Sequence, residues 1–292
     1  MFEKLLIGTK YYQDYIECNL AGDTQQREQF SQTNQLLSGT TLSIRSGFDT
    51  SKRTLSWFPQ NRNTFEKMDA IRNGKWGTGY IYFADMNATN LLPHYFSMPY
   101  LRSERKIGFD KFSTAQTIPT PANDIELPIL SAKVFIPHNG WVNKFTFLVP
   151  DDCDLAVGIK GEPNDKINFI LEWGAEKIEL DISDNLNTVF DYLLTRSNYQ
   201  NTNRLASFYI NDKNGIDDEQ DAYLYGLQIT RVPTLSTIDS VNRLCPTFSV
   251  GRGISGATIQ DMTIDEKLNS IGTNWEYEMS SVILSEEELR RQ

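Results

Sequence analysis

The sequence predicts a mainly β fold: an antiparallel β-rich N-terminal domain completed by C-terminal strands, with an inserted jelly-roll-like β-sandwich and a few short helices. Three observations predict it. Most apolar residues fall in short runs that alternate with polar ones and end at Gly, Pro, Asn or Asp, the period of half-buried antiparallel strands. A segment at 101–128, with three prolines and no sustained period, separates one group of strands from a denser one. Further strand-like material follows the dense block, so the end of the chain can complete the first domain and leave the middle as an insertion.

In chain order, TTLSIRSG (40–47), RTLSWFP (53–59) and GYIYFAD (79–85) read as strands of the first domain. Between the last two, NTFEKMDAIRNG places Phe65, Met68 and Ile71 at helical spacing, with Asn63 and Glu66 as a capping box and Gly74 where the helix stops. Residues 101–128 read as a linker or an extended arm that orders on assembly. The dense block holds AKVFIP (132–137), KFTFLVP (144–150), LAVGIKG (155–161), INFILEWG (167–174), EKIELDI (176–182), ASFYIND (206–212) and YLYGLQITRVP (223–233). Within it, Leu186, Val189, Phe190, Leu193 and Leu194 mark one face of a second helix capped by Ser183 or Asp184. TFSVGRG, GATIQDMTI and NWEYEMSSVILSE add strand material, and SEEELRRQ (285–292) reads as a third helix, acidic early and basic late. The expected domains are therefore 1–128, 129–233 and 234–292.

Composition excludes several classes. A net charge of −10 argues against a phosphate-backbone binder, which needs a basic surface to release counterions. Cys18, Cys153 and Cys245 form no C-x-x-C pair and read as thiols of a reducing compartment. MFEKLLIGTKYYQDY has too short an apolar run for a signal peptide, and no window approaches the 18 or so apolar residues of a spanning helix.

Four motifs invite chemistry. GRGISG (251–256) matches the dinucleotide pattern G-x-G-x-x-G, but a strand-like ATIQDMTI follows where that site needs a helix, so the glycines read as a turn or bulge between closing strands. NDKNGIDDEQDAY (211–223) resembles a calcium loop, yet counting back from Gly215 puts Ile210 at the first ligand position; Asn214-Gly215 reads instead as a hairpin turn. His94 and His138 stand alone, and no G-x-S-x-G or Walker loop is present. Aromatics are in excess: Trp141, Phe145, Phe147, Phe169, Trp173, Phe208, Tyr209, Tyr223 and Tyr225 serve a core or, if exposed, sugar-stacking platforms; alternation assigns Phe145 and Phe147 to a core. The sequence thus names no catalytic, cofactor-binding or metal-binding residue, and no particular ligand-binding one.

Residues 53–100 add a resemblance. Trp57, the helix around Phe65 to Ile71, the turn Gly74-Lys75-Trp76-Gly77-Thr78-Gly79, the strand Tyr80 to Asp85 and Asn90-Leu91-Leu92-Pro93 together resemble minor tail proteins of long-tailed actinobacteriophages. TFSVGRGISGATI and SVILSEE look like the closing part of such proteins. The resemblance implies a distal tail or minor tail protein: a β domain that forms a ring with copies of itself under the tail tube, and a second sandwich, similar to carbohydrate-binding modules, facing outward. It implies a non-enzymatic structural role in the virion tail, assembled in the host cytoplasm, with tail-tube and baseplate proteins as partners. A host-surface glycan is the alternative ligand of the middle sandwich. A β-scaffold glycoside hydrolase, requiring a carboxylate pair about 5–10 Å apart, is the third reading.

Overall fold

The computed structural model describes residues 4–17, 20–35, 41–60, 62–84, 89–92, 97, 115–136, 144–196, 203–212, 220–251, 253, 257–268 and 275–285. The chain is mainly β, with antiparallel sheets and, among the described residues, two helices. It begins with β1 (Lys4–Thr9), β2 (Gln13–Glu17), β3 (Leu20–Gln35), β4 (Thr41–Gln60), α1 (Arg62–Arg72) and β5 (Ile81–Phe83). Next come β6 (Ala115–Pro119), β7 (Leu130–Ile136), β8 (Phe145–Leu148), β9 (Cys153–Gly161), β10 (Ile167–Trp173) and β11 (Glu176–Leu180). The chain continues with β12 (Tyr192–Leu194), β13 (Leu205–Asp212), β14 (Gln220–Pro233), α2 (Ile238–Leu244), β15 (Ala257–Leu268) and β16 (Trp275–Ser285). It divides into two units, Met1–Phe83 with Ile254–Gln292, and Ala84–Gly253.

The first unit is one seven-stranded sheet in the order β2-β1-β5-β15-β16-β4-β3. Its two edge strands are neighbours in sequence, because Glu17 ends β2 and Leu20 begins β3. Six strand spacings would hold the edges of a flat sheet about 29 Å apart. Three peptide steps reach at most about 11 Å. The sheet must therefore curl until its edges meet at that corner. The curl gathers Ile16 of β2 and Leu55 of β4 into one core with Leu5, Ile7, Ile81, Phe83 and Ala257, and α1 covers it with Met68 and Ile71. The Lys67 ammonium fastens the helix to β2, 2.9 Å from the Asp14 carboxylate and 2.9 Å from the Tyr15 carbonyl.

Helix α1 begins at Arg62, so Asn63 lies in its first turn and does not cap it. It ends as the sequence indicates. Gly74, at φ 69°, takes the left-handed conformation, its N–H donating to Ile71 while that of Lys75 donates to Ala70. The segments 40–47 and 53–59 are parts of one strand, β4, running through Gly47 and Asp49. Its partner β3 has only Leu20, Ala21 and Phe30 as apolar residues and shows no alternation to read.

The second unit contains a jelly roll. Strands β7 to β14 form two facing sheets in the orders β12-β9-β14-β7 and β11-β10-β13-β8, the double Greek key of that fold, and β6 adds a fifth strand beside β7. Alternate residues of both sheets meet in a core of Phe145, Phe147, Leu155, Val157, Ile159, Phe169, Leu171, Trp173, Phe208, Ile210, Leu224 and Leu227. The other face of the first sheet is covered too. A second cluster there joins Ala156 and Tyr225 to Ile125, Leu127, Val189, Phe190 and Val241 of α2. Strand β9, buried on both sides, is accordingly apolar along most of its length.

This covering layer corrects three readings. Residues 186–194 do not form a helix: the segment crosses the sheet, and Tyr192–Leu194 pairs with β9 as β12. Tertiary contacts override its helical periodicity. The Val189 carbonyl passes so close to Gly158 that a Cβ there would lie 1.9 Å from it, and the carboxylate of Asp191 holds the ammonium of Lys160 at 2.7 Å through both oxygens. Residues 115–128 belong to the fold, with β6 paired to β7 and Ile125 and Leu127 buried, whereas 101–114 lie outside the described residues. The TFSV segment is not a strand, and α2 precedes it, its first turn closed by a reciprocal Thr237–Ser240 capping box. The SEEELRRQ helix lies outside the described residues beyond Ser285, which ends β16.

Lys160 is 1% exposed and burial pushes its ammonium below the ordinary lysine range, against the pull of Asp191. Ser183 donates a further hydrogen bond to Asp191 at 3.1 Å. Removing one partner leaves an uncompensated buried charge, so Asp191→Ala is expected to destabilise the unit by about 3–5 kcal/mol. Chemical denaturation checks this, and Lys160→Met added to Asp191→Ala is expected to recover most of the loss.

Candidate functional site

Most motifs singled out in the sequence resolve into architecture. Asn90 is buried and uses its whole side chain: the amide donates to the Leu227 and Ser249 carbonyls at 2.9 and 2.8 Å, and its oxygen accepts from the N–H groups of Leu92 and Ile229. Leu91 and Leu92 are buried behind it. Two glycines of GRGISG, Gly251 and Gly253, serve this junction, and Gly256 lies outside the described residues. A Cβ on Gly253 would fall 1.5 Å from the Leu91 carbonyl oxygen, and the Gly253 N–H donates to Leu92 at 3.0 Å. Close approach of two backbones demands glycine there. Gly251 donates to the Ser97 hydroxyl at 2.8 Å.

Most of the aromatic excess of the jelly roll is core. Phe145, Phe147, Phe169, Trp173, Phe208, Tyr209 and Tyr225 are buried, and Trp141 lies outside the described residues. Trp173 donates to the Asn203 carbonyl at 2.8 Å and carries the Arg196 guanidinium over its ring at 4.8 Å. Tyr223, half-buried, lies under Lys133, whose ammonium also pairs with Asp221 at 2.6 Å. His94, His138 and residues 213–219 lie outside the described residues. The strands on either side of 213–219, β13 and β14, belong to different sheets, so Asn214-Gly215 does not join a pair of hydrogen-bonded strands. Cys153 and Cys245 are free thiols.

One polar cluster stands on the jelly roll's other sheet. Alternation along β10 and β13 sends Glu172 and Tyr209 away from the core that takes Leu171, Trp173 and Phe208. Glu172 accepts from the Tyr209 hydroxyl at 2.7 Å, pairs with Lys144 and lies 3.5 Å from Lys177. The Lys144 ammonium also lies 4.8 Å from the Tyr209 ring centre. Burial pushes the Glu172 carboxyl up, but the hydrogen bonds from Lys144 and Tyr209 outweigh it and hold the group below the ordinary value of 4.5. Such a carboxylate stays ionised at neutral pH, with both oxygens engaged. It can anchor neighbouring strands or accept hydrogen bonds; it is not a proton donor.

The sheet edge of the first unit was not legible in the sequence. Strand β16 pairs with β4 only from Ser51 to Gln60, whereas β3 continues along β4 to the Gln35–Thr41 pair. Among the described residues, 41–50 and their β3 partners thus form a two-stranded ribbon beyond the seven-stranded sheet, about 26 Å long at the usual rise per residue of β3. Among the described residues no strand pairs with the outer edge of β3. Neither β3 nor 41–50 contains Lys or Pro, the residues that usually guard such an edge, although two bulges interrupt the ladder.

Among the described residues no group of three or more His, Cys, Asp or Glu could hold a metal ion, and no helix is long and apolar enough to cross a membrane.

Because the Glu172 carboxyl is depressed in the folded state, its stabilisation is complete above pH 4.5 and is lost as pH falls through the depressed value. Glu172→Gln is therefore expected to lower stability at neutral pH and to flatten the acid limb of the stability profile, read from thermal melts across pH 2–7. In comparisons with known proteins, no family model matches the chain and no curated protein matches it.

Proposed function

We propose that the chain is a structural subunit of a phage tail tip: a distal or minor tail protein that assembles with copies of itself into a ring or baseplate element. In this reading it joins the tail tube to the host-recognition apparatus, acts in the virion tail after assembly in the host cytoplasm, and performs no catalysis. The observation that carries the reading is the β3–β4 ribbon, whose outer β3 edge no described strand pairs. An isolated two-stranded ribbon is marginal in water, and an edge without Lys or Pro, although bulged, is open to a further strand. A subunit that meets copies of itself turns both properties to use. The jelly roll supports the same reading, since capsid proteins are among the classes built on that fold. No described aromatic side chain of the jelly roll forms an exposed platform, so no observation favours the glycan-binding reading over the architectural one.

The ribbon gives the test. Replacing residues 30–48 by Asn-Gly joins Gln29 to Asp49, which face each other in the ladder, and leaves the strands of the main sheet intact. Light scattering and negative-stain imaging of the full-length chain are expected to show a closed oligomer. The shortened variant is expected to keep its thermal transition and β-type circular dichroism while running as a monomer. A shortened chain that assembles as before, or a full-length chain that stays monomeric up to its solubility limit, would overturn the reading.

A further inference from the structure

The turn between β1 and β2 carries two exposed aromatic side chains, Tyr11 at 73% and Tyr12 at 50% exposure. Scattered exposed apolar residues need no explanation, but this pair is built in. The Thr9 hydroxyl donates to the Trp76 carbonyl and accepts from the Tyr11 and Tyr12 N–H groups. The Thr9 N–H donates to the Tyr12 carbonyl at 2.8 Å, and the Gln13 side-chain amide donates to the Thr9 carbonyl at 2.7 Å. Tyr12 meets Trp76 edge to face with ring centres 4.7 Å apart. Gly77, at φ 108°, makes room for Tyr11, because a Cβ there would lie 2.5 Å from that ring. Two segments distant in sequence are thus shaped around an aromatic pair that mostly faces water. A turn alone requires none of this.

Charge indicates the occupant. Segments 4–13 and 70–83 contain no Asp or Glu, and Lys10, Arg72 and Lys75 are exposed on them, in a chain whose net charge is −10. Of the acids that border these segments, Asp14 is paired with Lys67, Asp69 stands half-buried on α1, and Glu3 and Asp85 lie outside the described residues. Copies of an acidic protein repel one another except where one presents a local basic patch to the other. Rigid tyrosine and tryptophan beside basic side chains is the chemistry of interface anchors, which lose little conformational entropy on binding. An anionic polymer would meet the same patch but would be repelled by the rest of the surface.

We propose that this tip, Tyr11 and Tyr12 braced by Trp76 and flanked by Lys10 and Lys75, docks on an acidic surface of a second copy of the chain. The inference rests on the self-assembly reading and adds to the ribbon a second contact, made by side chains. The full-length chain is tested by sedimentation equilibrium beside Tyr11→Ser/Tyr12→Ser and Lys10→Glu/Lys75→Glu, with a photo-crosslinking benzoylphenylalanine placed at position 11 in a further variant. Each double variant is expected to weaken self-association at least about tenfold. The charge-reversed variant keeps the test valid if loss of the rings disturbs the turn. Added salt is expected to weaken association of the wild type more than that of the charge-reversed variant, and irradiation to yield chain-to-chain adducts ending in acidic peptides. Wild-type assembly that both variants retain within twofold would overturn this inference alone and leave the ribbon reading standing. A wild-type chain that does not associate would overturn both.

Discussion

The architecture of the first unit depends on a covalent constraint: two residues separate strands that occupy opposite edges of a seven-stranded sheet. A flat arrangement is geometrically impossible, so the sheet must curl, and curling creates the concave face that needs a filling. Helix α1 supplies it with Met68 and Ile71, and Lys67 ties the helix to the edge strand that would otherwise end the sheet. The same curl leaves β3 as the strand that turns the corner and runs on past the sheet. Core, helix and ribbon therefore share one cause.

In the jelly roll the corresponding constraint is double burial. With apolar side chains on both faces of β9 and a covering layer over the second face, any polar group in that strand must be paired. Lys160 is such a group, and its partner Asp191 fixes where the crossing segment lies. Gly158, two residues earlier on the same face, removes the side chain that would hold that segment away. The tyrosine and lysine around Glu172 do on the opposite sheet what Asp191 does here, with less burial and hence less at stake.

Strands that alternate could be read directly from the sequence. Phe145 and Phe147, or Phe169, Leu171 and Trp173, announce a buried face by spacing alone, and the sandwich strands lie close to where the pattern places them. Strand β3 could not be read, because a ribbon that fills no core has no need of apolar residues at every second position. The segment 186–194 was misleading for the opposite reason. Its apolar residues serve more than one core cluster, and the resulting spacing imitates a helix. The tip at Tyr11 and Tyr12 was invisible because its support comes from Trp76 and Gly77, and no pattern within either segment reveals that they meet. GRGISG illustrates the limit of motifs: its Gly253 is required by a neighbouring backbone, a contact that no spacing within the motif announces.

The point of insertion bears on how the chain folds. Ile81 of β5 pairs with Ala257 of β15, so the sheet is completed across the whole intervening unit. Closing so long a loop from an unfolded chain would be slow, because its ends meet rarely. Inside the inserted unit, however, Leu92 and Gly253 are hydrogen-bonded to each other, which brings the two ends of that segment together once it has folded. With the jelly roll folded, the effective loop between β5 and β15 is therefore short. The closure cost of the sheet is then set by the spacing of those two ends and not by the length of the chain between them.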